Sequence, residues 1–187
     1  IDRRIRLIIP IIISQCGFRP HFGTHTALLR LSIIIRHCVV KGIDLCTAFL
    51  YFKEVFERAW RPGILYQLWQ AGVKGKVWRI IHDILSRTHS YVDTNYGPST
   101  TFTSHIGVIQ GTVLAAILFL IYISPLSTAL APHSPTINGV RIAPELFADD
   151  ALLLAIGTEM RSAMLKLTMR WAKMWRAVLK PSKCGLF

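Results

Sequence analysis

Apolar residues along this chain come in runs whose internal spacing separates helices from strands. Residues 24–37 place Leu28, Leu31, Ile34 and Ile35 on one side of a predicted helix. Residues 39–49 read as a strand running into a bend, weakened by Gly42. A helix over 62–71 opens with Pro and stops at Gly72, and 76–86 gives a second short amphipathic one. Segments 89–94 and 100–105 alternate on either side of Asn95-Tyr96-Gly97-Pro98, a hairpin pattern. Residues 112–126 form a helix apolar on most sides, and strands over 140–147 and 151–156 flank Asp149 and Asp150. Thr158 is expected to cap a last helix, in which Met160, Met164, Leu167, Trp171, Met174 and Val178 recur at helical spacing. Its other face carries Arg161, Lys166, Arg170, Lys173 and Arg176, and Pro181 bars its extension. Residues 1–13 read as a buried helix or an irregular segment, broken by Pro10. Helices and hairpins around a short, mainly antiparallel sheet imply an α+β fold.

Two polar positions break the apolar pattern. Asp149 and Asp150 stand in tandem within Glu145-Leu-Phe-Ala-Asp-Asp-Ala-Leu-Leu-Leu-Ala-Ile156. Ionised carboxylates in such company are strongly disfavoured without compensation, and no Lys or Arg lies between Pro144 and Met160. A divalent cation held by oxygen ligands supplies that compensation. An exposed turn accommodates the pair equally well, and the two readings are compatible. Asp44, after Val39-Val40-Lys41-Gly42-Ile43, is the other acidic residue in apolar surroundings. Beside the Asp149 hairpin it would complete three carboxylates, enough to hold two ions about 4 Å apart. As a strand-end cap it would do nothing chemical.

Charge changes the picture of partners. The 187 residues hold 22 Lys and Arg against 10 Asp and Glu, a formal charge of +12. That excess favours a polyanionic partner, nucleic acid before anionic membrane. Cys16, Cys38, Cys46 and Cys184 show no Cys-x-x-Cys spacing, which speaks against a disulfide scaffold and a zinc ribbon and fits a reducing compartment. No apolar run is expected to span a membrane: residues 113–123 fall well short of the roughly 20 required. Gly107-Val-Ile-Gln-Gly111 sets a Gln between two glycines ahead of an apolar helix, where a backbone turn and a helix N-terminus favour phosphate.

Five blocks in order resemble the reverse transcriptase domain of non-LTR retrotransposons. Gln15-Cys-Gly-Phe-Arg-Pro20 with Thr24 resembles Q-x-G-F-R-P, and Asp44-Leu-Cys-Thr-Ala-Phe49 resembles D-L-x-x-A-F. Gly107-Val-Ile-Gln-Gly-Thr-Val-Leu114, then Leu118-Phe119 and Tyr122-Ile123, resembles G-V-P-Q-G-S-V-L and its continuation. Phe147-Ala-Asp-Asp150 resembles the (F/Y)-A-D-D hairpin, and Leu179-Lys-Pro-Ser-Lys183 resembles L-N-P-x-K.

The resemblance implies a right-hand polymerase palm, residues 39–187, with a fingers remnant over 1–38 and no thumb or upstream fingers. It implies RNA-directed DNA polymerase activity, with two Mg²⁺ ions, an RNA template, a DNA primer and dNTP, inside the cell in cytoplasm or nucleus. Asp44, Asp149 and Asp150 would hold the metals, and Lys183 would approach the triphosphate. Phe49 would be the steric gate under the sugar, Gln110 and Gly111 would line nucleotide and template, and Arg19 would support template or fingers packing.

Departures from the family pattern are concrete. The A-F block normally continues into Asp and then Trp, with the Trp roughly nine residues beyond the first Asp. Here Leu50 takes the Asp place and Trp60 lies 16 residues after Asp44, which implies an insertion of about seven residues beside the gate. Ile109 replaces Pro, Ala115-Ala116 replaces Ser-Pro, Lys180 replaces Asn, and Lys41-Gly42 interrupts an apolar strand. The alternative is an inactive remnant that binds nucleic acid through charge. A basic membrane-surface protein is a third reading, which leaves the ordered blocks unexplained.

Overall fold

The computed structural model describes residues 1–9 and 12–187. The break expected at Pro10 lies outside the described residues. Helix α1 (Asp2–Ile8) buries Ile5 alone and leads to α2 (Thr24–Lys41). Strand β1 (Leu45–Tyr51) follows, then α3 (Val55–Arg58), α4 (Arg61–Gln70) and α5 (Gly75–Ser86). The expected hairpin forms as two nested pairs, β2 (His89–Ser90) with β5 (Phe102–Thr103) outside β3 (Asp93–Thr94) with β4 (Gly97–Pro98). Helix α6 (Val113–Leu130) is followed by β6 (Thr136–Ile137) and β7 (Val140–Arg141). Then come β8 (Glu145–Phe147), β9 (Asp150–Ile156), α7 (Gly157–Trp175) and β10 (Gly185–Leu186).

The main sheet is antiparallel with strand order β10-β1-β9-β8. One face carries Ala48, Leu50, Ala151, Leu153 and Ala155, which pack with α4, α6 and α7 into the larger core. Leu152 and Leu154 on the other face meet Ile34 and Cys38 of α2. Helix α2 covers only part of that face, so the β1 and β9 ends nearest Tyr51 and Asp150 border an open cleft.

Several expectations shift by local physics. Val39 and Val40 are helical, not strand, because α2 runs on to Gly42, whose φ of 64° makes the left-handed cap. The break at Lys41-Gly42 is therefore a helix end, and no strand is interrupted. Along α2, Leu28 and Ile35 are exposed while Ile34 and Cys38 are buried. In α7 the buried stripe is Met164, Thr168, Trp171, Ala172 and Trp175, leaving Met174 70% exposed. Thr158 lies inside this helix and caps nothing. Strand 140–147 is split, because Asn138-Gly139 turns β6 back onto β7, both residues having positive φ.

Helix α6 is longer than expected and continues through Pro125 to Leu130. Residues Val113–His133 are long and apolar enough to cross a membrane, with a mean hydropathy of 2.2, correcting the expectation from 113–123. Ile117 to Ile123 are all buried in the core, so the helix is occupied by protein packing. Tyr122 in its middle donates to the Trp175 carbonyl at 2.8 Å, and burial pushes its phenol up to about 12.

Candidate active site: an aspartate hairpin beside Tyr51

Phe147 and Asp150 pair across β8 and β9, which leaves Ala148-Asp149 as a two-residue turn. Ala148 has a φ of 54°, a conformation unfavourable for a side chain and held here by neighbours. The holder is Gln15, fully buried. Its Oε1 accepts from the backbone N–H of Ala148 at 2.9 Å and of Gly17 at 2.7 Å, while its Nε2 donates to the Ala148 carbonyl at 3.2 Å. A Cβ on Gly17 would lie 2.3 Å from the Ala148 nitrogen. Residues 14–16 also run along the free edge of β8, with Cys16 N–H donating to Leu146 and Leu146 N–H to Ser14. The Gln-x-Gly motif thus positions the aspartate turn, a role that its place in the sequence did not announce.

Asp149 is half-buried in the turn, and Asp150 opens onto the cleft. Although Asp150 is exposed, partial desolvation raises its carboxyl above the ordinary range, Asp149 adds to this, and Lys183 opposes it. Lys183 comes from the turn before β10, and its Nζ sits 4.4 Å from the Tyr51 ring centre. Main-chain bonds hold that turn to β1: Lys180 N–H donates to the Tyr51 carbonyl at 2.9 Å, and Lys53 N–H donates to Val178. Together Thr24, Leu28, Phe49, Tyr51, Asp150 and Lys183 border a cleft of about 380 Å³.

Asp44 does not join this group. Strand β1 pairs one-to-one with β9 from Leu45↔Ile156 to Tyr51↔Asp150, so the residue opposite Asp150 is Tyr51. Tyr51 lies seven positions beyond Asp44, about 20 Å at the usual strand rise. Asp44 is exposed at the other end, where its carbonyl accepts from Gly157 N–H at 3.0 Å. The expected three-carboxylate convergence through Asp44 is corrected on this register. Among the described residues no group of three or more His, Cys, Asp or Glu could hold a metal ion. The arrangement does not fit the two-ion centre, for which Asp149 and Asp150 would supply only part of the ligand set.

Strand β1 passes through Leu50 without a bulge. Phe49 faces the cleft side, 45% exposed, with its ring edge-on to Phe187. Gln110 and Gly111 lie elsewhere, around a second hollow of about 490 Å³ with Phe18, Phe56 and Thr112. Gln110 Nε2 donates to Glu57 Oε1 at 2.5 Å. Gly107 donates to Ala59 O and Val108 to Phe56 O, both at 2.8 Å, which docks the glycine turn on α3. Arg19 donates to the Ile12 and Gln15 carbonyls at 3.0 Å and lies over the Phe22 ring. It fastens the segment that carries Gln15. Glu145, paired with Arg30 at 3.3 Å, is raised chiefly by burial.

A short antiparallel sheet that presents two aspartates at a hairpin, with one face on long helices and the other only partly covered, defines the palm of a right-hand polymerase. The chain belongs to the family described as reverse transcriptase (RNA-dependent DNA polymerase), whose match runs over residues 2–187. It is 24% identical over 179 residues to the RNA-directed DNA polymerase from mobile element jockey of Drosophila melanogaster. It is 26% identical over 180 residues to that of Drosophila funebris. Each match takes in 91% of this chain and 19% of the relative, so the chain spans about a fifth of those proteins' length. The fold is similar to that of telomerase from Candida albicans in complex with a telomeric RNA fragment, at TM-score 0.77 and 11% identity. That likeness covers 100% of this chain and 35% of the telomerase. Apo telomerase from Candida tropicalis, truncated of its C-terminal domain, gives 0.75 at 14% identity, over 93% of this chain and 36% of that one.

Proposed function

We propose that the chain is the template-, primer- and dNTP-holding part of an RNA-directed DNA polymerase of a non-LTR mobile element. The observation that carries this reading is the Asp149-Asp150 hairpin beside Lys183 at the open end of the palm sheet. In this reading α1, α2 and the Gln15 segment are the fingers part, and the chain from β1 onward is the palm. The reaction assigned to the element's polymerase is addition of dNTP to a primer 3′-hydroxyl directed by an RNA template. In this reading Lys183, which borders the cleft, would meet phosphate, and the +12 charge favours a nucleic-acid partner. Four cysteines, all free, suit a place inside the cell.

The test is anisotropy of a fluorescent RNA–DNA hybrid titrated with the parent, Lys183→Glu and Lys166→Glu. Both variants change charge equally, but Lys166 belongs to α7, which packs on the closed face of the sheet. Lys183→Glu is expected to weaken hybrid binding several-fold more than Lys166→Glu. Equal losses would mean that charge alone attracts the hybrid and that the cleft does not receive it.

A further inference from the structure

We infer that Tyr51, not Asp44, occupies the place of the first metal-ligating carboxylate, so that this chain's site is one ligand short. The inference rests on the polymerase reading above and concerns only its metal centre. Its first support is register. Tyr51 and Asp150 are direct cross-strand partners, whose Cβ atoms lie about 5 Å apart on one face of the sheet. A carboxylate at 51 would share that face with Asp150, whereas Asp44 is about 20 Å along the strand.

The second support is spacing. Counting back nine residues from Trp60 reaches Tyr51, not Asp44. The block then reads Tyr51-Phe-Lys-Glu-Val-Phe-Glu57, against D-L-x-x-A-F followed by Asp, with no insertion. Every departure in it preserves character (Phe for Leu, Val for Ala, Glu for Asp) except Tyr for the first Asp. The structure agrees with this phasing, because β1 is unbroken from Leu45 to Tyr51 and α3 begins at Val55. Under it the block's aromatic residue is Phe56, stacked on Phe119 at 4.3 Å and bordering the hollow that holds Gln110 and Gly111. Glu57, next in the block, accepts from Gln110. Phe49 has no contact with that glycine turn among the described hydrogen bonds and ring pairs.

The third support is chemistry. A tyrosine phenol is a poor oxygen ligand for Mg²⁺ beside a carboxylate. Here its ring already receives the Lys183 ammonium, so a cation–π contact stands where a carboxylate would face a metal ion. Asp44-Leu-Cys-Thr-Ala-Phe49 matches the family block in letters, but its Asp points to the wrong end of the sheet.

The experiment titrates Mn²⁺ into the parent, Tyr51→Asp, Tyr51→Glu, Asp44→Asn and the double variant Tyr51→Asp/Asp149→Ala. Free Mn²⁺ is read by electron paramagnetic resonance, folding by circular dichroism, and hybrid binding by anisotropy in parallel. The parent and Asp44→Asn are expected to bind Mn²⁺ weakly and alike. Tyr51→Asp, or Tyr51→Glu if the shorter side chain leaves a hole, should tighten binding about tenfold or more, and Asp149→Ala should remove the gain. Primer extension should rise in the same variants that gain Mn²⁺. A tight Mn²⁺ site in the parent that Asp44→Asn abolishes overturns the inference, and so does a folded Tyr51→Asp that gains no affinity. Loss of hybrid binding with the metal results as expected would instead count against the polymerase reading alone.

Discussion

The Gln15 side chain hydrogen-bonds no aspartate, yet it holds the backbone that presents Asp149. One side-chain oxygen satisfies two buried N–H groups, of Ala148 and Gly17, and both are stranded if it is removed. Each orphaned donor costs about 1–3 kcal/mol in a buried setting. Gln15→Leu is therefore expected to lower Tm by about 5 °C or more. Equal melting of Gln15→Leu and the parent would show that the turn holds itself. At this scale the sequence drew attention to residues whose anomaly was electrostatic. Asp149 and Asp150 stood out because tandem carboxylates in an apolar run need an explanation, and Lys183 followed from its block. It misled at Asp44, because the six letters from Asp44 to Phe49 and the weaker seven from Tyr51 to Glu57 compete for one role. Only strand register decides between them, and register is a property of two segments about a hundred residues apart.

At the scale of elements, what positions the site is close backbone contact between segments whose contact the sequence does not advertise. The turn from Gly107 to Gly111 lies against α3 so closely that a Cβ on Gly107 would fall 2.4 Å from the Glu57 carbonyl oxygen. Its φ of 80° adds strain for any other residue. Gly107→Ala is expected to destabilise by about 2–4 kcal/mol and to separate Gln110 from Glu57. Gly111 has a similar φ but open space around its Cα, so Gly111→Ala should cost less. Urea melts of the two variants check the order, and a Gly111→Ala that is the more destabilised would remove the docking argument. The elements themselves were legible where period and punctuation agreed, as in α4 with Pro near its start and α5 with its amphipathic face. They were not legible around Gly42, because two β-branched residues before a glycine suit a strand as well as a helix end. In α7 the stripe from Met160 to Val178 misled by one position: the core accepts Trp175, and Met174 is left outside.

For the whole molecule, charge and shape must act together if nucleic acid is the partner. A basic chain binds polyanions in any case, so affinity alone says little about the cleft. Salt dependence is more informative, because each phosphate neutralised contributes about −0.9 to the slope of log K against log salt for a duplex. The open end of the sheet, between α2 on one side and Lys183 on the other, is a site of limited extent. An RNA–DNA hybrid seated there is expected to give a slope of about −3 to −5, as from a handful of neutralised phosphates. Lys183→Glu should make that slope shallower by about one, since it removes a cation that faces the cleft, and Lys166→Glu should leave it nearly unchanged. A slope near −10 that both variants reduce equally would mean that the hybrid wraps the general basic surface. The same titrations on Tyr51→Asp separate platform from chemistry: a new carboxylate in the cleft should weaken hybrid binding slightly without Mn²⁺ and restore it when Mn²⁺ is added. That reversal would tie the metal to the nucleic acid at one place, the strand end where Tyr51 faces Asp150.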